Sequence, residues 1–490
     1  MKRFARIAKR LILYLTVGLL GFVVGGFALY IIIVRGGPPL QLWHTEKLTA
    51  EYSQENADEI RSFADYRRLE EKLFAQLDEK IYARTESGPK HALVRYSTGS
   101  AADPRRHDPD WNRSFELPAD TPVGGVLLLH GMSDSPYSLR ALGETLNQHG
   151  YWVVGLRLPG HGTAPSGVAG TRWEEMAAVV QLGMEHLAAK VGPDSVHMVG
   201  YSTGAPLAID FALDALEGDA TPMPASLVLI SPAIGITRAA VLTKWLGRLA
   251  VLPGLEKLAW TSILPEFDPY KYNSFTANAA EQVHRLTRSI AVEVESRAAS
   301  SPIENFPPTL VFLSTVDATV SVNAVIDNLL EHLAPGRHEL VLFDINRTSV
   351  KKSVLVSDPG PLTALLMADG KLPFSLTLIA NENAKSRAVV ARKKDSSSAQ
   401  VSTDALGLAW PSGVISLSHI ALPIPPDDPI YGARPPEDSN TVFLGNMAIQ
   451  GERGLLQFSS DWLLRLRYNP FYEFLESRTL EWMAGANSGG

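Results

Sequence analysis

The 490-residue chain has no cysteine, which excludes disulfides, thiolate nucleophiles and zinc–thiolate sites and leaves the compartment open. It also lacks any marked excess of one charge: 45 Lys and Arg stand against 52 Asp and Glu, a formal net charge of -7. That balance offers no basic surface, so nucleic acid is not an expected partner. No internal repeat divides the chain into a solenoid or propeller. Hydrophobic residues at 45% and charged residues at 20% are those of a globular protein, long enough for one large or two ordinary domains.

One long apolar run is present. Lys2, Arg3, Arg6, Lys9 and Arg10 form a basic N-terminus over 1–10, and 24 uncharged residues follow from Leu11 to Val34. At 1.5 Å per helical residue this run spans a hydrocarbon layer of about 30 Å. No A-x-A-like cleavage site accompanies it, so 11–34 reads as a single-pass signal anchor and not a cleaved leader. The basic cluster predicts a cytoplasmic N-terminus and an extracytoplasmic remainder, periplasmic if the membrane is a bacterial inner one. Gly21 and Gly25 make a G-x-x-x-G pair, read more simply as small residues in a lipid-facing helix than as a helix-pairing contact.

Residues 36–118 form a helical pre-domain and connector. Phe63, Tyr66, Leu69, Leu73, Leu77 and Ile81 recur at helical spacing among charged residues, which predicts an amphipathic helix packed on the rest of the chain. Residues 99–122, rich in Pro, Asp and Ser, read as irregular. From Gly124 the texture changes to short apolar runs, each followed by a turn and a helical pattern: Val126–Leu129, Trp152–Leu156, Val196–Tyr201, Leu227–Ile230, Leu310–Leu313 and Leu340–Phe343. Strands apolar on both faces belong to a parallel sheet covered on both sides. Thr171 with Glu174 reads as a capping box, and Gly150 as a helix C-cap. The expected class is therefore α/β, a mostly parallel sheet flanked by helices, with core segments at 119–236 and 307–490. Residues 237–306 show helical patterns and no strand-like run, which predicts a helical cap; Val241, Leu242, Trp245, Leu249 and Leu252 give one of its helices a broad apolar face. Residues 346–410 read as a long mixed insertion, with Arg392–Ser398 an exposed loop, and 469–483 as a final amphipathic helix.

The chemistry centres on Gly200-Tyr201-Ser202-Thr203-Gly204, which joins an apolar strand to a helix. A side chain at Gly200 or Gly204 would crowd so sharp a turn, which lifts the Ser202 hydroxyl clear of the sheet. A serine hydroxyl is a weak nucleophile until a base takes its proton, a carboxylate orients that base, and donors receive the oxyanion. Asp317 follows the strand Leu310–Leu313 and is the candidate acid, with Asp344 after the next strand in reserve. His419 is the one histidine downstream of the last predicted strand; His332 falls on a helix and His338 at the wrong end of a strand. The order Ser202, Asp317, His419 suits an open α/β sheet. In the loop 130–136, Gly131 lets the backbone turn, and the Met132 N–H can pair with that of Thr203 as the oxyanion hole. His130 and His161 read as loop scaffolding.

Taken together, His130-Gly131, Pro159-Gly160-His161-Gly162, the elbow at Ser202, Asp317 and His419 resemble the α/β-hydrolase superfamily, most closely its monoacylglycerol-lipase, lysophospholipase and serine-aminopeptidase-like branch. The resemblance covers roughly 120–236, 309–344 and 412–435, with the cap where that branch carries one. It implies serine hydrolysis through an acyl-enzyme, with neither metal nor organic cofactor, on a small-molecule or lipid ester. Thr203 and Ala205 depart from the Met and second Gly common in that elbow, and 346–410 separates His419 from the last strand far more than usual. The leading expectation is a membrane-anchored serine esterase acting on acylglycerol or lysophospholipid-like substrates. Alternatives are acyl transfer, release of N-terminal residues from peptides (with Glu174, Glu175 or a cap carboxylate holding the amino terminus), or an inactive binding module. The oligomeric state is not readable from the sequence.

Overall fold

Strands that are apolar on both faces need cover on both faces. The computed structural model, which describes residues 9–10, 12–22, 25–26, 36–235, 249–250, 252–436, 441–445, 452–453, 455–457 and 465–487, supplies it. Its central sheet has ten strands in the order β1-β3-β2-β4-β5-β8-β9-β10-β11-β12. These are β1 (Phe115–Leu117), β2 (Gly124–Leu129), β3 (Tyr151–Leu156), β4 (Val196–Tyr201), β5 (Ser226–Ile230), β8 (Thr309–Ser314), β9 (His338–Phe343), β10 (Ser375–Asn381), β11 (Ala388–Lys394) and β12 (Val401–Ala409). Strands β3 through β10 of that order run parallel, while β1 at one edge and β11 at the other run antiparallel to them, and β12 pairs antiparallel with β11.

The alternation of each strand feeds two cores. In β2, Leu127 and Leu129 enter a core shared with helices Trp173–Val191 (α3), Gly204–Glu217 (α4) and Ala277–Arg297 (α5). Val126 and Leu128 enter the opposite core, covered by Arg140–Gln148 (α2) and Tyr472–Asn487 (α7). Each fully buried aliphatic side chain contributes about 1.5–3 kcal/mol.

The pre-domain is built into this body. Ser62 caps helix Phe63–Lys80 (α1) by accepting the Asp65 N–H at 3.1 Å. Phe63 and Tyr66 enter the first core, whereas Phe74, Leu77 and Ile81 pack with Trp43, Tyr82 and Tyr96. Arg157, fully buried just after β3, donates to Glu70 at 2.7 Å and through both terminal nitrogens to Glu51 at 2.9 Å.

Several expectations need correction. The stretch 346–410 is not a loose insertion but three further strands and the helix Gly360–Ala368 (α6), which widen the sheet at its edge. Arg392, Lys393 and Lys394 lie on β11; the Lys394 ammonium is buried against the carbonyls of Leu366 and Asp369 at the end of α6, and only 395–398 is a turn. In 237–306, two short antiparallel strands (β6, Trp260–Ser262, and β7, Phe275–Thr276) appear, and α5 packs against α3 and α4 within the body, not as a cap. Of the predicted cap face, Val241, Leu242 and Trp245 lie outside the described residues. The capping box shifts by one residue: Glu175 accepts the Arg172 N–H at 2.8 Å, while Glu174 pairs with Arg285. Residues 115–117, inside the predicted connector, form β1.

The predicted anchor, 11–34, falls partly outside the described residues. Its described residues, 12–22 and 25–26, are helical, with exposed apolar side chains such as Leu15 and Phe22. Among the described residues no helix is long and apolar enough to cross a membrane.

Candidate active site

Strand β4 ends at Tyr201 and α4 begins at Gly204, so Ser202 and Thr203 alone turn the chain. Ser202 sits at φ 51°, in the left-handed region that costs a non-glycine residue about 1–3 kcal/mol. Three backbone bonds hold it there: its N–H donates to the Ile230 carbonyl at 2.9 Å, and its own carbonyl accepts from Ala205 at 3.2 Å and Ala233 at 3.1 Å. The flanking glycines are steric necessities. A Cβ at Gly200 would stand 2.5 Å from Ala205 Cα, and one at Gly204 would stand 2.1 Å from the Leu129 carbonyl oxygen.

The structure brings the three predicted residues together. His419 Nε2 lies 2.9 Å from Ser202 Oγ, and His419 Nδ1 lies 2.8 Å from Asp317 Oδ2. With Nδ1–H donating to the carboxylate, the Nε2 lone pair is left to accept the serine proton; this tautomer is inferred from the partners. Asp317 Oδ1 accepts the N–H groups of Thr319 at 2.7 Å and Val320 at 2.9 Å. Burial works to raise this carboxyl, but His419 and the two N–H groups outweigh it and hold Asp317 below the ordinary carboxylate range. The reserve acid, Asp344, pairs with Arg347 at 3.0 Å instead. Neither His332, bonded to the Asp327 carbonyl, nor His338, at the start of β9, joins the group.

The loop after β2 lies against Ser202: a Cβ on Gly131 would be 3.0 Å from Ser202 Cβ. Among the described residues the N–H groups of Met132 and Thr203 have no acceptor. His130 ties this loop to the next: its Nε2 accepts the Leu158 N–H at 3.0 Å and its Nδ1 lies 2.8 Å from the Gly131 carbonyl. His161 bonds the Pro159 carbonyl through Nδ1 and places Nε2 3.2 Å from the Met132 sulfur. Burial, helped by neighbouring His161, drives His130 well below its ordinary value, and burial lowers His161 to about 4. Both are neutral scaffold residues.

Residues without a sequence signal complete the site. Glu452, fully buried, accepts the backbone N–H of His419 at 3.0 Å and pairs with Arg465 at 2.9 Å. It is an isolated glutamate with no spacing to mark it. Beside the elbow, Lys271 donates to Asp134 at 2.8 Å, and Arg467 donates to Asp268 at 3.1 Å.

A mostly parallel sheet flanked by helices, with a serine raised on a strand–turn–helix elbow, defines the α/β-hydrolase fold. Residues 126–348 match the alpha/beta hydrolase family. A thermostable monoacylglycerol lipase from Bacillus sp. (strain H-257) is 35% identical over 88 residues, 18% of this chain and 34% of that protein. The dihydrolipoyllysine-residue acetyltransferase component of the acetoin cleaving system of Cupriavidus necator is 32% identical over 111 residues, 22% of this chain and 26% of that protein. The matches thus span about a third or less of these relatives' own lengths. Among solved structures, the monoacylglycerol lipase of Paleococcus ferrophilus is 22% identical, with a TM-score of 0.36, and covers 47% of this chain and 88% of its own.

Proposed function

We propose that the protein is a serine hydrolase of carboxylic esters. The observation that carries this reading is the continuous relay from Ser202 Oγ through His419 to Asp317, at 2.9 and 2.8 Å. Ser202 Oγ attacks the acyl carbon while His419 Nε2 takes its proton, and Asp317 stabilises the imidazolium. The Met132 and Thr203 N–H groups receive the tetrahedral oxyanion. Collapse expels the alcohol, which takes the proton from His419, and leaves an acyl-Ser202. Water, deprotonated by the same imidazole, then attacks this ester and releases the acid with Ser202 restored.

The resemblance to a monoacylglycerol lipase supports acylglycerol or lysophospholipid-like substrates. The apolar run 11–34 supports a signal anchor that holds the catalytic body beside a bilayer, on its extracytoplasmic side. A fluorophosphonate probe is expected to label the full-length protein, and Ser202→Ala to abolish labelling and lower kcat by about 10⁴ or more. Labelling that persists in the Ser202→Ala protein would remove the serine from its role.

The similarity to an acetyltransferase component favours one second reading, transfer of the acyl group from Ser202 to an acceptor other than water. Product analysis with a thiol or alcohol acceptor present separates the two. Acyl-acceptor product formed in preference to free acid would select transfer.

A further inference from the structure

A cleft opens directly beside the nucleophile. Tyr201, which precedes Ser202, and Ile420, which follows His419, both line it, and its cavity volume is ≈ 30 Å³, room for one small group. Two cations line it, Lys271 and Arg467, with Asp134 the lining carboxylate.

The charges are arranged asymmetrically. Lys271 is 25% exposed while its partner Asp134 is 11% exposed; Arg467 is 22% exposed while its partner Asp268 is 0% exposed. In both pairs the cation is the more exposed partner; Asp268 lies behind Arg467 and outside the lining, whereas Asp134 shares the lining with Lys271. Asp268 is also the more fully satisfied of the two anions. Besides Arg467, its carboxylate accepts the N–H groups of Tyr270 and Lys271, each at 3.1 Å, and the Tyr431 hydroxyl. Arg467 gives only one guanidinium nitrogen to this partner, and Lys271 a single contact to Asp134, so both keep N–H groups for a ligand. The wall is rigid: Tyr137 and Tyr270 stack with centroids 3.8 Å apart and planes 6° from parallel, and Tyr137 is anchored by its hydroxyl on Asp428 at 2.9 Å. A cationic rim on a fixed wall selects a negative group without reorganising.

We propose that this cleft binds an anionic group of the substrate, so that the preferred ester carries a phosphate or a carboxylate close to its scissile bond. The inference rests on Ser202 being the nucleophile. A neutral substrate would leave the Arg467 and Lys271 donors to water, whereas a phosphate or carboxylate takes them in charge-assisted bonds.

The test uses the full-length protein and three esters of one acyl chain: the monoacylglycerol, its glycerol phosphate counterpart, and a carboxylate-bearing counterpart. The ratio of kcat/KM for an anionic over the neutral ester is read, because it does not depend on how much of a preparation is folded. A preference of about three- to tenfold is expected, the scale of two partly exposed ion pairs, and it should shrink as salt is raised. Lys271→Met and Arg467→Gln should each move the ratio toward one. Preference for the phosphate alone, or for both anions, supports the cleft and says which group it takes. A ratio at or below one, or a ratio unchanged in both variants, overturns the inference. If Ser202→Ala is inert toward all three esters while the ratio is one, the inference alone falls; if Ser202→Ala turns them over, the nucleophile reading falls with it.

Discussion

Removal of Glu452 is the perturbation most specific to this molecule. Glu452 Oε2 accepts the His419 N–H at 3.0 Å, Oε1 accepts the Arg453 N–H at 3.0 Å and pairs with Arg465, and the Glu452 N–H donates to Ser416 Oγ at 2.9 Å. The Ser418 hydroxyl donates to the Leu466 carbonyl, so Glu452 and Leu466 between them hold three of the four residues Ser416–His419. Burial raises the Glu452 carboxyl, and Arg465 works against that rise. Glu452→Ala deletes a charge-assisted bond to the histidine backbone, about 1.5–3 kcal/mol, and leaves Arg465 without its counterion. Arg465 keeps 19% exposure, which holds the second cost to the low end of the 3–5 kcal/mol typical of broken buried pairs. The two costs together predict a loss of roughly 4.5–6 kcal/mol in urea denaturation. Because a displacement of about 1 Å at a catalytic group costs on the order of a hundredfold, kcat should fall about that far with KM little changed. Glu452→Gln keeps an acceptor for the His419 N–H, so it should lose stability but retain most of the rate. Parental stability and kcat in the Ala protein would refute the argument, as would Gln and Ala proteins that are equally slow.

Three further outcomes follow from the structure. Burial first, then Asp214, Glu293 and Glu174, push Asp210 up to about 8. An unfolded Asp ionises near 4, so the folded state holds a proton that the unfolded chain loses, and stability should decline between about pH 4 and 8. Asp210→Asn should flatten that decline and gain roughly 2–5 kcal/mol at pH 8 over the parent; melting curves equally pH-dependent in both proteins would contradict this. Gly204→Ala drives a Cβ to 2.1 Å from the Leu129 carbonyl and should yield little soluble, probe-reactive protein, whereas Gly170→Ala, with nothing within 4 Å, should behave as the parent. Arg157→Met strands the carboxylates of Glu51 and Glu70 and should destabilise by about 3–5 kcal/mol, with limited proteolysis cutting ahead of β1 sooner than in the parent.

How much of this was legible in the sequence varies with how local the cause is. The elbow was legible because two glycines and a serine at fixed offsets meet a steric demand inside a single turn. Six of the seven parallel strands were legible because burial on both faces writes itself as an unalternated apolar run; β10, parallel to β9, was not, because it lies inside the stretch read as a mixed insertion. Strands β11 and β12 were not, because an edge ribbon with one open face tolerates Lys393, Ser402 and Asp404, and a polar stretch of that kind reads as a loop. Glu452 was beyond reach, since its partners His419, Ser416 and Arg465 converge from separate parts of the chain.

The same edge ribbon accounts for the length of chain between the last predicted strand and His419. Asn346, three residues after β9 ends at Phe343, donates its backbone N–H to the Ile415 carbonyl at 2.7 Å and its side-chain amide to the Val414 carbonyl at 2.8 Å. The chain between them leaves the sheet edge as β10, β11 and β12 and returns to the residue it left. Added strands lengthen the sheet sideways and do not move the carboxyl end of β9, where the histidine loop begins. In space His419 therefore follows β9 by a few residues, and the insertion acts as a closed excursion from Asn346. Loosening this clasp tests it directly: Asn346→Ala removes the side-chain bond and the turn bonds from Thr348, and leaves the backbone bond to Ile415 alone. It should slow the acylation of Ser202 without removing any residue that touches it. Probe labelling of the Asn346→Ala protein as fast as that of the parent would show that the bonds to Asp317 and Glu452 hold His419 without this clasp.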